Sequence, residues 1–153
     1  MANYSNGKIL IPNVTGNLVI NITAVPSAPV TIPITWQSNK GCNYTIGETL
    51  AFEDANNRVT SDFIAVSPQA SYQLTGLESA QSYAPDGYQF KVIACDSSNV
   101  IKAIPYSSEN WKTMETPVEF TVPAGCTKIV FRFGRAGGTY VDPALAEAVL
   151  YAL

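Results

Sequence analysis

The sequence contains no histidine. That absence removes Ser/His/Asp and Cys/His nucleophilic systems, the usual zinc centres and the commonest general base near neutral pH. Charge is scarce too, at 14% of 153 residues against about 25% in ordinary soluble domains. With 9 basic residues against 12 acidic ones, no reservoir of positive charge exists to neutralise a phosphate backbone, so nucleic acid is a poor partner. No apolar run approaches the roughly 18 residues that suggest a membrane span. The opening residues also lack the basic start and apolar stretch of a secretory signal, so the expectation is a chain made in the cytoplasm with no membrane partner. Only three cysteines occur, Cys42, Cys95 and Cys126, at spacings that match no metal-ligand motif. They read as structural thiols, with room for one disulfide.

Surface polarity comes instead from 12 Ser, 13 Thr and 11 Asn, residues that favour strands, turns and loops over helix interiors. The length suits one domain. Lys8 to Ile11 and the alternating segment Asn17 to Ala24 predict an N-terminal β-hairpin within residues 1–25. Residues 26–33 hold three of the ten prolines and read as a junction that cannot continue a sheet interior. From residue 34 to 153 short strand-like segments recur about every ten residues, the rhythm of an antiparallel sandwich or barrel. The predicted strands are Ile34 to Trp36, Tyr44 to Leu50, Thr60 to Val66, Tyr72 to Leu77, Tyr88 to Cys95, Val100 to Ile104, Val118 to Val122 and Thr127 to Phe133. In the last of these Ile129, Phe131 and Phe133 alternate with other residues and predict a core face. Propensity favours a helix in the tail from Asp142, but a closing strand over Ala148 to Leu153 would cover a sheet edge; the expectation is that strand, preceded by one helical turn.

No motif for catalysis is present, so the expectation is a protein that is not an enzyme, although any two of the twelve carboxylates satisfy the minimum of a glycosidase. Asp54, Asp86 and Asp96 read as turn residues whose side chains bond their own backbone. No cofactor is implied; a structural calcium held by loop carboxylates is compatible with a sandwich, but no EF-hand-like spacing occurs. Aromatic residues are more informative. A sugar ring offers a patch of C–H groups to a flat aromatic face, and neutral polar side chains bond its hydroxyls. Trp111, in a polar loop-like stretch, is the first candidate for such a contact; Tyr44, Tyr83, Tyr88 and Tyr106 lie beside other turns and complete the set. Trp36 reads as core.

Three blocks carry a resemblance: Thr60 to Leu74, Tyr88 to Ile101 and Val118 to Phe131. Together with the hairpin Gly7 to Thr23 they resemble jelly-roll modules of bacteriophage tail fibre and baseplate proteins, themselves similar to carbohydrate-binding modules of glycoside hydrolases. The resemblance implies an all-β, antiparallel jelly-roll β-sandwich located in the virion, in the tail or another external structure. It implies a receptor-binding, carbohydrate-binding function directed at a host cell-surface glycan, in a homotrimer that contacts other virion proteins. The alternative it leaves is a structural tail, capsid or head-fibre protein that makes protein contacts only.

Overall fold

A computed structural model describes residues 3–5, 8–10, 15–17, 28–83, 88–110, 113–135 and 145–153. In chain order the elements are β1 (Asn3–Ser5), β2 (Lys8–Leu10), β3 (Val30–Ile32), β4 (Trp36–Cys42), β5 (Phe52–Ser61), β6 (Ile64–Ala65), β7 (Ser71–Thr75), α1 (Glu78–Tyr83), β8 (Tyr88–Cys95), β9 (Ile101–Ser108), β10 (Val118–Thr121), β11 (Lys128–Arg135) and β12 (Val149–Ala152). Alternation in β11 sets the architecture. Ile129, Phe131 and Phe133 all point into one buried core, while the intervening Val130 belongs to a second. Antiparallel pairing carries β8 on one side of β11 and β5 on the other, giving a sheet of order β4-β5-β11-β8-β9 with β6 also beside β11. A four-stranded antiparallel sheet, β10-β7-β12-β3, lies opposite.

The two sheets share a core in which Tyr72 and Leu74 of β7, Phe120 of β10 and Leu150 of β12 meet Phe90 of β8 and Phe131 of β11. Each such side chain contributes about 1.5–3 kcal/mol through removal from water. Aromatic contacts run along the larger sheet, where Phe90 lies 4.5 Å from Phe133 and Trp36, half-buried against the core as its sequence context predicts, lies 5.9 Å from Phe131; across the layers Phe120 meets Phe131 at 6.1 Å. The chain crosses between the sheets repeatedly, with β3, β7, β10 and β12 in the smaller sheet and β4 to β6, β8, β9 and β11 in the larger. The protein is an antiparallel β-sandwich.

Several local expectations are corrected. Lys8–Leu10 pairs with Asn3–Ser5, Ser5 opposite Lys8, so the sequence between the paired ends is Asn6-Gly7, a two-residue hairpin signal. Residues 18–24, the expected second arm, lie outside the described residues. Val30–Ile32 within the proline-rich junction is a strand; with Pro29 and Pro33 on either side it occupies a sheet edge, where missing N–H donors are tolerated. The expected strand Tyr44 to Leu50 is instead a loop between β4 and β5, bridged only by Thr49 to Val100. Gly47 at φ 92° turns the chain there. Asp54 lies in β5 and pairs with Lys40 across the hairpin, not in a turn; Asp86 lies outside the described residues. Residues 78–83 form a short helix that periodicity did not disclose. The closing strand is present, but it runs inside the small sheet between β7 and β3 rather than over an edge.

The loop of residues 43–51 folds over the outer face of the larger sheet. Gly47 N and Leu50 N donate to the carbonyls of Ile101 and Asn99, and Ile101 N donates to that of Glu48, each at 2.8 Å. Asn43 fastens the loop to itself, its Oδ1 accepting from Ala51 N and its Nδ2 donating to the Thr49 carbonyl. Beneath lies the second core of Cys42, Leu50, Ile93, Cys95, Ile101 and Val130. Both faces of β8 are therefore covered, which explains its uninterrupted run of buried residues from Phe90 to Cys95. Among the described residues no helix is long and apolar enough to cross a membrane.

Candidate functional site

Tyr106 stands opposite Val92 in the β8–β9 ladder, so its ring turns to the sandwich interior at the outermost strand of the larger sheet. It leans on Phe90 at 5.8 Å and stays half-buried, leaving its other side on an open cleft of about 590 Å³. Glu115, Thr116, Pro117 and Glu119 complete the walls. Thr116 and Pro117 are joined by a cis bond and lead directly into β10. Glu119 is oriented by Gln73, whose Nε2 donates to its Oε1 at 2.8 Å. A neighbouring hollow shares Glu119 and adds Ser71, Phe120, Thr121 and Leu153; the Ser71 and Thr121 hydroxyls bond each other at 2.9 Å. Burial, and then the charge of Glu115, raise the Tyr106 phenol above its ordinary value, which keeps it a neutral hydrogen-bond donor. The cleft thus combines an aromatic wall, two carboxylate acceptors and hydroxyl groups, a set suited to a polyhydroxylated ligand.

A separate cluster lies on the outer face of the larger sheet. Register places Thr60, Arg132, Lys91 and Ser107 side by side on four successive strands, and Arg58 beside Gly134 in the next row. The Tyr44 ring covers two of these cations, its centroid 4.8 Å from Arg132 Cζ and 5.2 Å from Lys91 Nζ. Lys91 donates to Ser107 Oγ at 2.8 Å and meets Glu109 at 3.3 Å, while Arg58 is paired with Glu53. Arg132 is only 3% exposed and has no carboxylate partner among the described residues. Burial first, and then the positive charge of Arg58, lower its pKa.

The structure does not gather the sequence-predicted aromatics into one site. Tyr106 lines the cleft. Tyr44, 41% exposed, lies on the outer sheet face with the cations. Tyr88 is corrected from candidate contact to core residue, because it has no accessible surface and a ligand finds no face of its ring. Tyr83 ends α1, and its side chain, like the whole of Trp111, lies outside the described residues. Asp96 performs the expected turn role, its Oδ1 accepting from Ser98 N at 2.9 Å and Val100 N at 3.0 Å. Among the described residues no group of three Cys, Asp or Glu side chains is placed to hold a metal ion.

Sequence reasoning left Glu115 and Glu119 undistinguished among the twelve carboxylates and did not single out Lys91 or Arg132. Both cations had a signal: each is a single charge set inside an otherwise apolar stretch, Phe90-Lys-Val-Ile93 and Ile129-Val-Phe-Arg-Phe133. No known protein family, curated protein or solved structure matches the chain.

Proposed function

We propose that the chain is a non-catalytic carbohydrate-binding module of the bacteriophage virion, a jelly roll that recognises bacterial surface polysaccharide. The observation that carries the reading is the open Tyr106 cleft, where one aromatic ring faces two carboxylates and a threonine hydroxyl. Saccharides are bound by this combination, apolar faces resting on rings and hydroxyls donating to carboxylates. The jelly-roll assignment is supported by a chain that crosses repeatedly between two antiparallel sheets of orders β3-β12-β7-β10 and β4-β5-β11-β8-β9. The virion setting, the tail-fibre role and a homotrimer rest on the resemblance of residues 60–74, 88–101 and 118–131. In such an assembly repeated weak sites act together, so a single shallow cleft suffices.

The test is binding of the soluble chain to a glycan array and to host cell-envelope fractions, beside Tyr106→Ala, Glu119→Gln and Trp111→Ala. Specific binding that falls at least tenfold in the first two variants, with unchanged circular dichroism, supports the cleft. Binding lost only in Trp111→Ala moves the site away from it. Hydrolysis of a bound glycan that disappears in Glu119→Gln makes the protein an enzyme instead.

A structural virion role is the second reading, favoured by two apolar side chains that are each 65% exposed, Val30 on the β3 edge of the small sheet and Leu153 beside Ser71 of β7. Absence of binding to any glycan or envelope, with oligomers that dissociate in Val30→Asp, would establish it.

A further inference from the structure

The outer face of the larger sheet carries an unbalanced account of hydrogen bonds. Nε and Nη1 of Arg132, Nε of Arg58 and Oγ1 of Thr60 are all buried without a partner. Cross-strand register makes Thr60 the direct neighbour of Arg132, so four of the five orphaned side-chain atoms among the described residues belong to one place, the fifth being Thr127 Oγ1 just before β11. A glycine floor accommodates the two guanidinium groups. A Cβ at Gly134 would stand 3.1 Å from Arg58 Cγ and 3.2 Å from Arg132 Nη1, and one at Gly41 would stand 2.8 Å from Arg58 Cδ.

Two guanidinium groups repel, and a buried charge without a counter-ion costs several kcal/mol. The Tyr44 ring offsets part of that through its π-face, 4.8 Å from Arg132 Cζ, but is not a partner of the orphaned Nε and Nη1 groups. Glu53 serves Arg58 and Glu109 serves Lys91, which leaves the Arg132 charge without a carboxylate among the described residues. What three cationic side chains and a hydroxyl require is a compact group with several acceptor oxygens and negative charge.

We propose that Arg132, with Arg58, Thr60 and Lys91, forms an oxyanion-binding site beneath Tyr44 that takes a sulfate, phosphate or carboxylate group. The group arrives either as a free inorganic ion or as the acidic substituent of a saccharide, whose ring then meets the exposed part of Tyr44. This site does not depend on the Tyr106 cleft, which lies at the β9–β10 edge.

The experiment follows the Arg132 side-chain Nε–Hε resonance by NMR in the wild-type chain during titration with sodium sulfate, sodium glucuronate and glucose, against sodium chloride at matched ionic strength. A saturable shift with sulfate in the millimolar range is expected. Tyr44→Ala should weaken glucuronate several-fold and leave sulfate unchanged if the saccharide is the source; equal behaviour of the two anions assigns a free ion. Thermal denaturation of wild type and Arg132→Met separates site binding from the general stabilising action of sulfate, since only the former disappears in the variant. Should Arg132→Met fail to fold, Arg58→Gln at the more exposed cation should weaken sulfate about tenfold. An Arg132 resonance that responds to sulfate no more than to chloride overturns the proposal and assigns water to the orphaned donors. A glucose response without an anion response would support the Tyr106 cleft while still overturning this site.

Discussion

The backbone of Gly76 lies so close to the carbonyl oxygen of Glu147 that no side chain fits between them. Gly76 also has φ 74°, a conformation that side-chain-bearing residues adopt at a cost. It follows β7, and Glu147 precedes β12, so this approach closes the space where the two strands begin to pair at Thr75 and Val149. Gly76→Ala should therefore lose about 1–3 kcal/mol from backbone strain alone, and more from the overlap with Glu147. Urea denaturation would measure it; a loss under about 0.5 kcal/mol would mean that the two segments do not meet.

Phe90 joins the core to the candidate cleft, since the same ring touches Phe131, Phe133 and Tyr106. Phe90→Ala should cost about 3–5 kcal/mol, the range for deleting a large buried ring. The surviving folded fraction should also bind saccharide more weakly than Phe90→Leu, because Tyr106 loses its support. Equal affinity in the two variants at matched folded concentration would detach the cleft from the core.

Asp96 holds its turn by charge as well as by shape. Hydrogen bonds from Val100 N, first of all, lower its carboxyl pKa, and the partner Lys102 at 3.1 Å acts in the same direction. A depressed folded-state pKa gives stability that is present above the ordinary value of 3.8 and lost as pH falls through the folded-state pKa. Asp96→Ala should thus be less stable than wild type at pH 7, with the gap narrowing at pH 3. A gap of constant size across that window would show that the carboxylate charge contributes nothing.

The three thiols should be inert in the folded protein. Burial pushes Cys42 up to about 12 and Cys95 up to about 11, and it raises Cys126 as well. At pH 8 an aromatic disulfide reagent should titrate none of them within minutes and all three in denaturant. Raised pKa values also mean that this contribution to stability is complete below 9 and falls as pH climbs toward 11 or 12. A thiol that reacts quickly at pH 8 would place that cysteine at the surface.

The parts of the fold legible in the sequence were those where one physical rule dominates. Ile129, Phe131 and Phe133 alternate and do face the core, whereas the prolines at 29 and 33 disguised the edge strand between them as a junction. Tyr44 to Leu50 misled because its apolar residues alternate as in a strand, yet Ile46 is 62% exposed and Leu50 is buried beneath the loop it belongs to. Polar strands β4 and β5 were missed in the reading except for Trp36 and Thr60–Ser61, because most of Phe52–Arg58 borders solvent and gives no period-two signal. The tail shows tertiary override: Ala and Leu favour a helix locally, but pairing on both sides with β3 and β7 decides for a strand. The cleft was legible only through Tyr106, since the convergence of Glu115 and Glu119 upon it depends on how β9 and β10 approach in space.

The interior position of β12 also governs the order of assembly. Leu150 is held between Ile32 and Leu74, partners from far earlier in the chain, so the small sheet lacks its middle until residues 149–152 leave the ribosome. Before that moment β3 has nothing to pair with and β7 has only β10, leaving Leu74, Tyr72 and Phe120 backed by half a layer. Such distant pairing belongs to the slow folders, in the range of about milliseconds to seconds. A nascent or truncated chain that stops short of Val149 therefore presents two open strand edges to its neighbours, and its hazard is joining them before it can join itself.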